Sequence, residues 1–384
     1  MLTVEIARVD HKNTARHVEA CLREQTARVE SQQEKSAWYM SLNDPIDLSE
    51  QADSTERARP CPVCQGSSFL VLLTPADVDA EHGWLQAFRR QRKSGTNNAK
   101  DLVAYTQIKP TFIVRCNGCG TVLRDPQPTC ERLRTLYADD TYNPATLDQL
   151  TANQDSFFRC KAEWVKPYLP ASAEVLEVGS FVGSFLRAAR ALGWRAVGVD
   201  VGAQTCAYTR AAGLDILQGD IQEVELPPAS WDGLFIWNTF DQLCDPDGVL
   251  DRAFTLLRQT GILGMRIPNA LFEQGCLQLR RHWRGTRRAG RVMYAQAYNS
   301  FLTFPYLAGY TVDSIGRLLR RHGFTIDRIA GDTLVRLADR TTLPFAAHEE
   351  ARYQRLIRRF CRRLEVTAGR LYYPWLDIIA RKQI

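Results

Sequence analysis

Between residues 174 and 338 the chain alternates short, nearly continuous apolar blocks with longer stretches in which apolar positions recur every three or four residues. Short blocks rich in Val, Ile, Leu and Phe read as strands buried on both faces. The longer stretches read as amphipathic helices. The blocks predict strands at 174–179, 195–200, 215–218, 232–237, 261–267, 325–331 and 334–338. The intervening periodicity predicts helices near 183–192, 203–212, 247–258 and 312–322. Strand and helix in alternation imply an α/β fold, a mostly parallel seven-stranded sheet with helices on both faces.

The flanks differ. Residues 1–57 form a polar extension, with a helix of weak apolar stripe over 13–38 and a connector over 43–59. Residues 58–130 carry short β-like runs beside paired cysteines, interrupted by a polar insertion over 89–100. Residues 131–171 read as a helical linker. The rigid turn Arg124-Asp125-Pro126-Gln127-Pro128 leads into it, Tyr137 and Tyr142 follow, and a helix over 152–168 is anchored by Phe157, Phe158 and Trp164. The α/β domain spans 172–340. Residues 341–384 return to helix as a basic extension, ending in the aromatic run Tyr372-Tyr373-Pro374-Trp375-Leu376-Asp377.

The apolar fraction of 45% and charged fraction of 24% belong to a soluble globular chain. No apolar run approaches the roughly 20 residues a bilayer demands. The N-terminus lacks a basic start followed by an apolar core, so the expected location is the cytoplasm. The net charge of +6 is unevenly placed: Arg280, Arg281, Arg284, Arg287, Arg288 and Arg291 form one run, and Arg352, Arg355, Arg358, Arg359, Arg362 and Arg363 another. Such runs suit an anionic small molecule, an acidic lipid surface contacted peripherally, or nucleic acid, against the simpler reading of solvated helix faces.

Cys61-Pro62-Val63-Cys64 and Cys116-Asn117-Gly118-Cys119 are two C-x-x-C pairs. In a chain without a visible secretory signal this spacing favours metal over disulfides. Two knuckles would supply four thiolates in tetrahedral array, a zinc ribbon; a filled sulfur shell makes the Zn2+ structural.

The most informative stretch is Glu174-Val175-Leu176-Glu177-Val178-Gly179-Ser180-Phe181-Val182-Gly183, followed by Val197-Gly198-Val199-Asp200. It predicts a strand, a glycine turn, a helix, and a second strand ending in a carboxylate, the first half of a Rossmann-like nucleotide crevice. A dinucleotide loop needs a small residue in its middle so that the pyrophosphate can reach the helix N-terminus. Phe181 stands there. Glu177 two residues before Gly179 repels phosphate and suits a cation. Both features favour S-adenosylmethionine (SAM), which carries an ammonium and a sulfonium and no phosphate. Asp220 and Ile221 follow the third strand and Asn238 ends the fourth, all at the carboxyl edge where open α/β sheets bind ligands.

This stretch resembles motif I of class I SAM-dependent methyltransferases. With the paired cysteines added, the chain resembles bacterial methyltransferases with an N-terminal zinc ribbon, among them sugar C-methyltransferases. The resemblance implies that Gly179 and Gly183 flank the methionine end of SAM, with Glu177, Ser180 and Phe181 also at the cofactor. It places Asp200 at the ribose, Asp220 and Ile221 at the adenine, Asn238 on the crevice wall, and Val201 among the cofactor-binding residues. It implies methyl transfer to a small-molecule acceptor such as a nucleotide-linked sugar, a quinone or a lipid intermediate. One departure stands out: those enzymes often carry a histidine after the fourth strand, where this chain has Gln242. No catalytic base is assigned; His282, Tyr294, Tyr298, Tyr306 and His322 are the candidates, with the segment 298–306 expected over the acceptor. Alternative readings are a nucleic-acid or macromolecule methyltransferase that uses the ribbon and arginines for recognition, and a non-catalytic SAM-binding scaffold. Neither the acceptor atom nor the oligomeric state is legible.

Overall fold

The paired cysteines and the apolar blocks each build a sheet. The computed structural model describes residues 54–56, 60–93, 108–299, 301–302, 305–333 and 342–383. The N-terminal extension, apart from residues 54–56, and the strand expected at 334–338 lie outside the described residues, as does most of the insertion over 89–100.

The first sheet holds β1 (Ser54–Glu56), β2 (Ser68–Leu73), β3 (Phe112–Cys116) and β4 (Val122–Asp125), antiparallel throughout. Between β2 and β3 runs α1 (Pro75–Arg90), opened by a Thr74–Asp77 capping box and Pro75 in its first turn. Then come α2 (Cys130–Ala138) and α3 (Pro144–Val165). The α/β alternation follows: β5 (Glu174–Val178), α4 (Ser184–Ala191), β6 (Arg195–Asp200), α5 (Ala203–Ala211), β7 (Asp215–Gln218), β8 (Trp231–Trp237), α6 (Pro246–Leu256) and β9 (Leu257–Pro268). Beyond it lie α7 (Ala270–His282), α8 (Arg287–Ala297), β10 (Ala308–Gly309), α9 (Val312–Arg321), β11 (Phe324–Asp332), α10 (Pro344–Ala368) and β12 (Trp375–Lys382).

The large sheet has the order β11-β12-β9-β8-β5-β6-β7. It is a seven-stranded, mostly parallel, Rossmann-like sheet flanked by helices; only β12 runs against its neighbours. Order reverses between β5 and β8, so the chain leaves a crevice at the carboxyl ends of β5, β6 and β8.

One expectation fails here. The C-terminal segment is helical only as far as Ala368; Trp375–Lys382 is the strand between β9 and β11. Six of its eight residues are buried, and the run has the apolar signature of the other strands. Asp377 in its middle disguises it. The fold accommodates that charge by bringing Lys161 of α3 and Arg266 of β9 onto it, with Asp332 accepting from Arg266 at 2.7 Å and from Lys161 at 3.1 Å. A buried carboxylate persists only with such partners.

The two sheets share one core. Phe69, Val114 and Leu123 of the small sheet pack in the same cluster as Leu176, Leu234, Leu263 and Ile378 of the large one, and β10 closes the small sheet by pairing with β4. The opposite face of the large sheet is covered by Phe157, Phe158, Trp164 and Val165 of α3 with Phe185 and Leu186 of α4. Cover on both faces is why the strands read as unbroken apolar blocks.

Candidate functional site

At the topological switch lies a cavity of about 380 Å³, within the size range of small-molecule sites. Its floor is the glycine turn. Gly179 leaves β5 at φ +72°, and a Cβ there would overlap the Thr239 side chain. Only a glycine meets both demands. Phe181 also takes a positive φ, 48°, and its N–H donates to Asp200 Oδ2 at 2.7 Å. Asp200 Oδ1 accepts from Gly202 N–H at 2.9 Å. The carboxylate at the end of β6 therefore braces the turn on β5 while remaining on the cavity wall.

Glu177 is the electrostatic oddity. It is buried, it lines the cavity, and its Oε2 has no hydrogen-bond partner; the buried Ser180 hydroxyl nearby has none either. Burial first, and then the charge of Asp200, push the Glu177 carboxyl well above the ordinary range, with Arg187 opposing weakly. Asp200 is raised as well, by burial, with the Gly202 and Phe181 amides pulling the other way. The buried Glu177 and half-buried Asp200 carboxyls therefore give this wall an acidic character.

The other wall comes from β7 and β8. Gly219, Asp220 and Ile221 follow β7; Asp220 accepts from Arg134 Nε of α2 at 3.0 Å and from Gln222 N–H at 3.0 Å. Asn238 ends β8 in a left-handed conformation, φ 55°. Its carbonyl accepts from Gln242 Nε2 at 2.7 Å, and Gln242 Oε1 accepts from the Tyr137 hydroxyl at 2.7 Å.

The roof is the segment from Cys130 to Tyr142. Asp140 accepts from the backbone N–H groups of Gln204 (2.9 Å) and Thr205 (2.7 Å) and so caps α5. Gly202 makes room for it, since a Cβ there would strike the Asp140 carboxylate. Tyr142 packs edge-on against Phe181 with ring centroids 5.5 Å apart. A disulfide between Cys130 of α2 and Cys244, which lies after β8, joins roof to wall.

Nine of the ten residues expected at the cofactor line this cavity: Glu177, Gly179, Ser180, Phe181, Asp200, Val201, Asp220, Ile221 and Asn238. Gly183 does not. It is the left-handed N-cap of α4, and a Cβ there would meet Leu214 and Thr209 at 2.8 and 2.9 Å, so its role is packing of the turn. None of the candidate bases lines the cavity. His322 is bound by Asp247 and Asp251 at 2.6 Å each. Tyr294 and Tyr298 stack around Phe88 and Tyr353. Tyr306 is buried edge-on against Trp375, and His282 is exposed at the end of α7. The described tyrosines of the 298–306 stretch thus pack elsewhere, and the roof comes from the segment expected to be a linker. Tyr137 and Tyr142 were visible there, but periodicity alone gave no means of aiming them.

The four paired cysteines converge. Their sulfurs all lie within 4.8 Å of one another, with Cys61–Cys119 at 3.6 Å and Cys64–Cys116 at 3.4 Å. Tetrahedral thiolate ligation of zinc requires sulfurs about 3.8 Å apart, and the cluster fits. Each knuckle turns on a left-handed residue just after its second cysteine, Gln65 in one and Gly120 in the other. Gly66 and Gly118 back the site, where a Cβ would come within 3.4 and 3.2 Å of Cys64 Sγ. Without a cation the four thiols cannot all ionise. Cys61 is pushed up, first by its hydrogen bond with Cys119, and Cys116 rises to about 11, chiefly by burial. Cys119 falls to about 5 through the hydrogen bond from Cys61.

Residues 157–329 match a protein family described as a methyltransferase domain. The match runs from α3 to β11 and contains the crevice but not the roof or the cysteine cluster. No curated protein gives a significant match. Among solved structures, the chain is similar to one from the Haloferax volcanii complex between the Trm112 methyltransferase activator and a methyltransferase (14% identity, 64% of this chain and 100% of that one, TM-score 0.44). It is also similar to the Burkholderia thailandensis 1,6-didemethyltoxoflavin-N1-methyltransferase, solved with 1,6-didemethyltoxoflavin and S-adenosylhomocysteine (14%, 72% and 97%, TM-score 0.40). A third is a SAM-dependent methyltransferase from Thermotoga maritima (16%, 59% and 89%, TM-score 0.38).

Proposed function

We propose that the chain is a SAM-dependent methyltransferase acting on a small-molecule acceptor. The observation that carries this reading is the unpartnered, buried Glu177 carboxylate beside Asp200 on the cavity wall. A phosphate-bearing cofactor would raise the electrostatic cost of that pair. A ligand with an ammonium lowers it.

In this reading Glu177 accepts from the amino group of the methionine moiety and the amides of the glycine turn face its carboxylate. Asp200 and Val201 hold the ribose, Asp220 and Ile221 the adenine. When bound, SAM supplies an electrophilic methyl group on a sulfonium. The chain's own part is to orient and to exclude water. The Tyr137–Gln242–Asn238 hydrogen-bond chain holds the wall beyond the glycine turn, and the roof residues Asp140 and Tyr142 close over it. Gln242 in place of a histidine removes the imidazole base from this loop, so an acceptor that loses its proton readily suits the site. The four-cysteine cluster would hold a structural zinc, and the cytoplasm remains our proposed location; among the described residues no helix is long and apolar enough to cross a membrane.

Isothermal titration of the purified full chain with SAM tests the reading. Saturable one-to-one binding is expected, weakened by Asp200→Ala by about 1–3 kcal/mol. No binding by folded protein would refute it.

A further inference from the structure

The two arginine runs do not line the crevice, and several of their members stay exposed on two helices that pack together. The second run lies on α10. Counted at 100° per residue, Phe345, Arg352, Leu356, Arg359, Arg363 and Val366 fall on one stripe along the helix. All six are exposed, with the apolar three 56%, 48% and 79% accessible. They are three of the four large hydrophobic residues exposed among the described residues. The opposite face of α10 is buried through Ala346, Ala347, Ile357 and Cys361.

The first run lies at the end of α7 and the start of α8, where Arg284, Arg287, Arg288 and Arg291 are exposed and Arg288 covers the ring of Trp283. α8 packs against α10 through Tyr294 and Tyr298, whose rings lie 6.2 and 5.9 Å from that of Tyr353. Burial and Glu349 raise the Tyr353 phenol, with Arg352 and Arg291 opposing them. The packing of α8 on α10 thus sets members of runs some 60 residues apart in sequence on neighbouring helices. The nearby acid Glu349 is already engaged by Arg92 and Tyr298.

We propose that this face, the exposed stripe of α10 together with the start of α8, docks the protein onto an anionic lipid surface. Arginines alone would suit any polyanion. The apolar residues distributed between them decide the partner. Phe345, Leu356 and Val366 span most of a helix about 37 Å long, and they gain nothing against a phosphodiester backbone. In the headgroup region they leave water while the guanidinium groups reach lipid phosphates. The inference concerns where the enzyme works and is independent of which cofactor fills the crevice.

The test is co-sedimentation of the full chain with vesicles of phosphatidylcholine mixed with phosphatidylglycerol, against phosphatidylcholine alone. Binding to the mixed vesicles that weakens with salt is expected. R352Q/R359Q/R363Q should reduce the partition coefficient by about 100-fold, roughly fivefold per arginine. F345S/L356S/V366S keeps the charge and should also weaken binding, by at least about tenfold. Unchanged melting temperatures would show that both variants fold. Failure of the wild-type chain to sediment with mixed vesicles at low salt overturns the proposal. So does vesicle binding indifferent to the apolar triple change. Single-stranded RNA binding tighter than vesicle binding, with the same arginine dependence, would assign the face to nucleic acid instead.

Discussion

Replacing Glu177 by glutamine should move two quantities in opposite directions. The substitution keeps shape and removes charge from a buried position where one carboxylate oxygen has no partner. In the ligand-free protein the carboxyl is held above its ordinary range, chiefly by burial. A raised carboxyl pKa means that the folded state holds a proton the unfolded chain has lost. Stability therefore falls as pH climbs above the unfolded value of about 4.3, until the folded pKa is passed. Glutamine does not titrate, so the ligand-free variant should melt at or above the wild-type temperature near neutral pH. SAM binding should suffer. A hydrogen bond to a charged group contributes about 1.5–3 kcal/mol, so the dissociation constant should rise by about 10- to 100-fold. The carboxyl that SAM draws into its charged form must release a proton on binding. Titrations in buffers of different ionisation enthalpy should therefore give different apparent heats for wild type and equal heats for Glu177→Gln. An affinity within about twofold of wild type would refute the assignment of Glu177 to the ligand's cation. Weaker binding together with a lower melting temperature would instead mark Glu177 as a structural residue.

Gly179→Ala should destabilise the fold by about 2–4 kcal/mol, combining a left-handed alanine with overlap on Thr239, and adding Thr239→Ser should recover part of the loss in denaturant titrations. Chelation, or Cys116→Ser, should release about one zinc per chain by elemental analysis and lower the melting temperature, because the ligands of a structural zinc are folding contacts. Asp241 is fully buried, its carboxylate oxygens have no hydrogen-bond partner, and burial lifts its pKa to about 7. Its folded pKa lies above the unfolded one, so wild type should lose stability between about pH 4 and pH 7. Asp241→Asn should remove that part of the pH dependence, raising the melting temperature near pH 8 and leaving it little changed near pH 4; equal effects at both would refute the titration.

The glycine turn shows how much of the site could be read along the chain. Glu177 and Asp200 sit on consecutive parallel strands with Gly179 in the turn after the first, and their adjacency follows from the βαβ connection alone. The cysteine pairs were legible for the same kind of reason, since each knuckle is a local structure. The roof was not legible. Asp140 reaches the N-terminus of α5 from more than 60 residues away in sequence, and nothing in the run Ala138-Asp139-Asp140-Thr141-Tyr142 distinguishes a cap from a solvated loop. The motif places Gly183 near the turn and so beside the ligand, and only the packing of Leu214 and Thr209 shows that it faces the fold interior instead.

Strand β12 divides the two kinds of information most clearly. Apolar blocks along the chain determined that there would be buried strands, because a strand covered on both faces has no polar side to show. They also determined the crevice edge, because parallel strands end on the same side. What the tertiary structure alone decided is how the carboxyl-terminal segment is spent. Asp377 is tolerable in a buried strand only where Lys161 and Arg266 meet it. Those partners come from α3 and β9, and sequence proximity cannot supply a charge that arrives from across the fold.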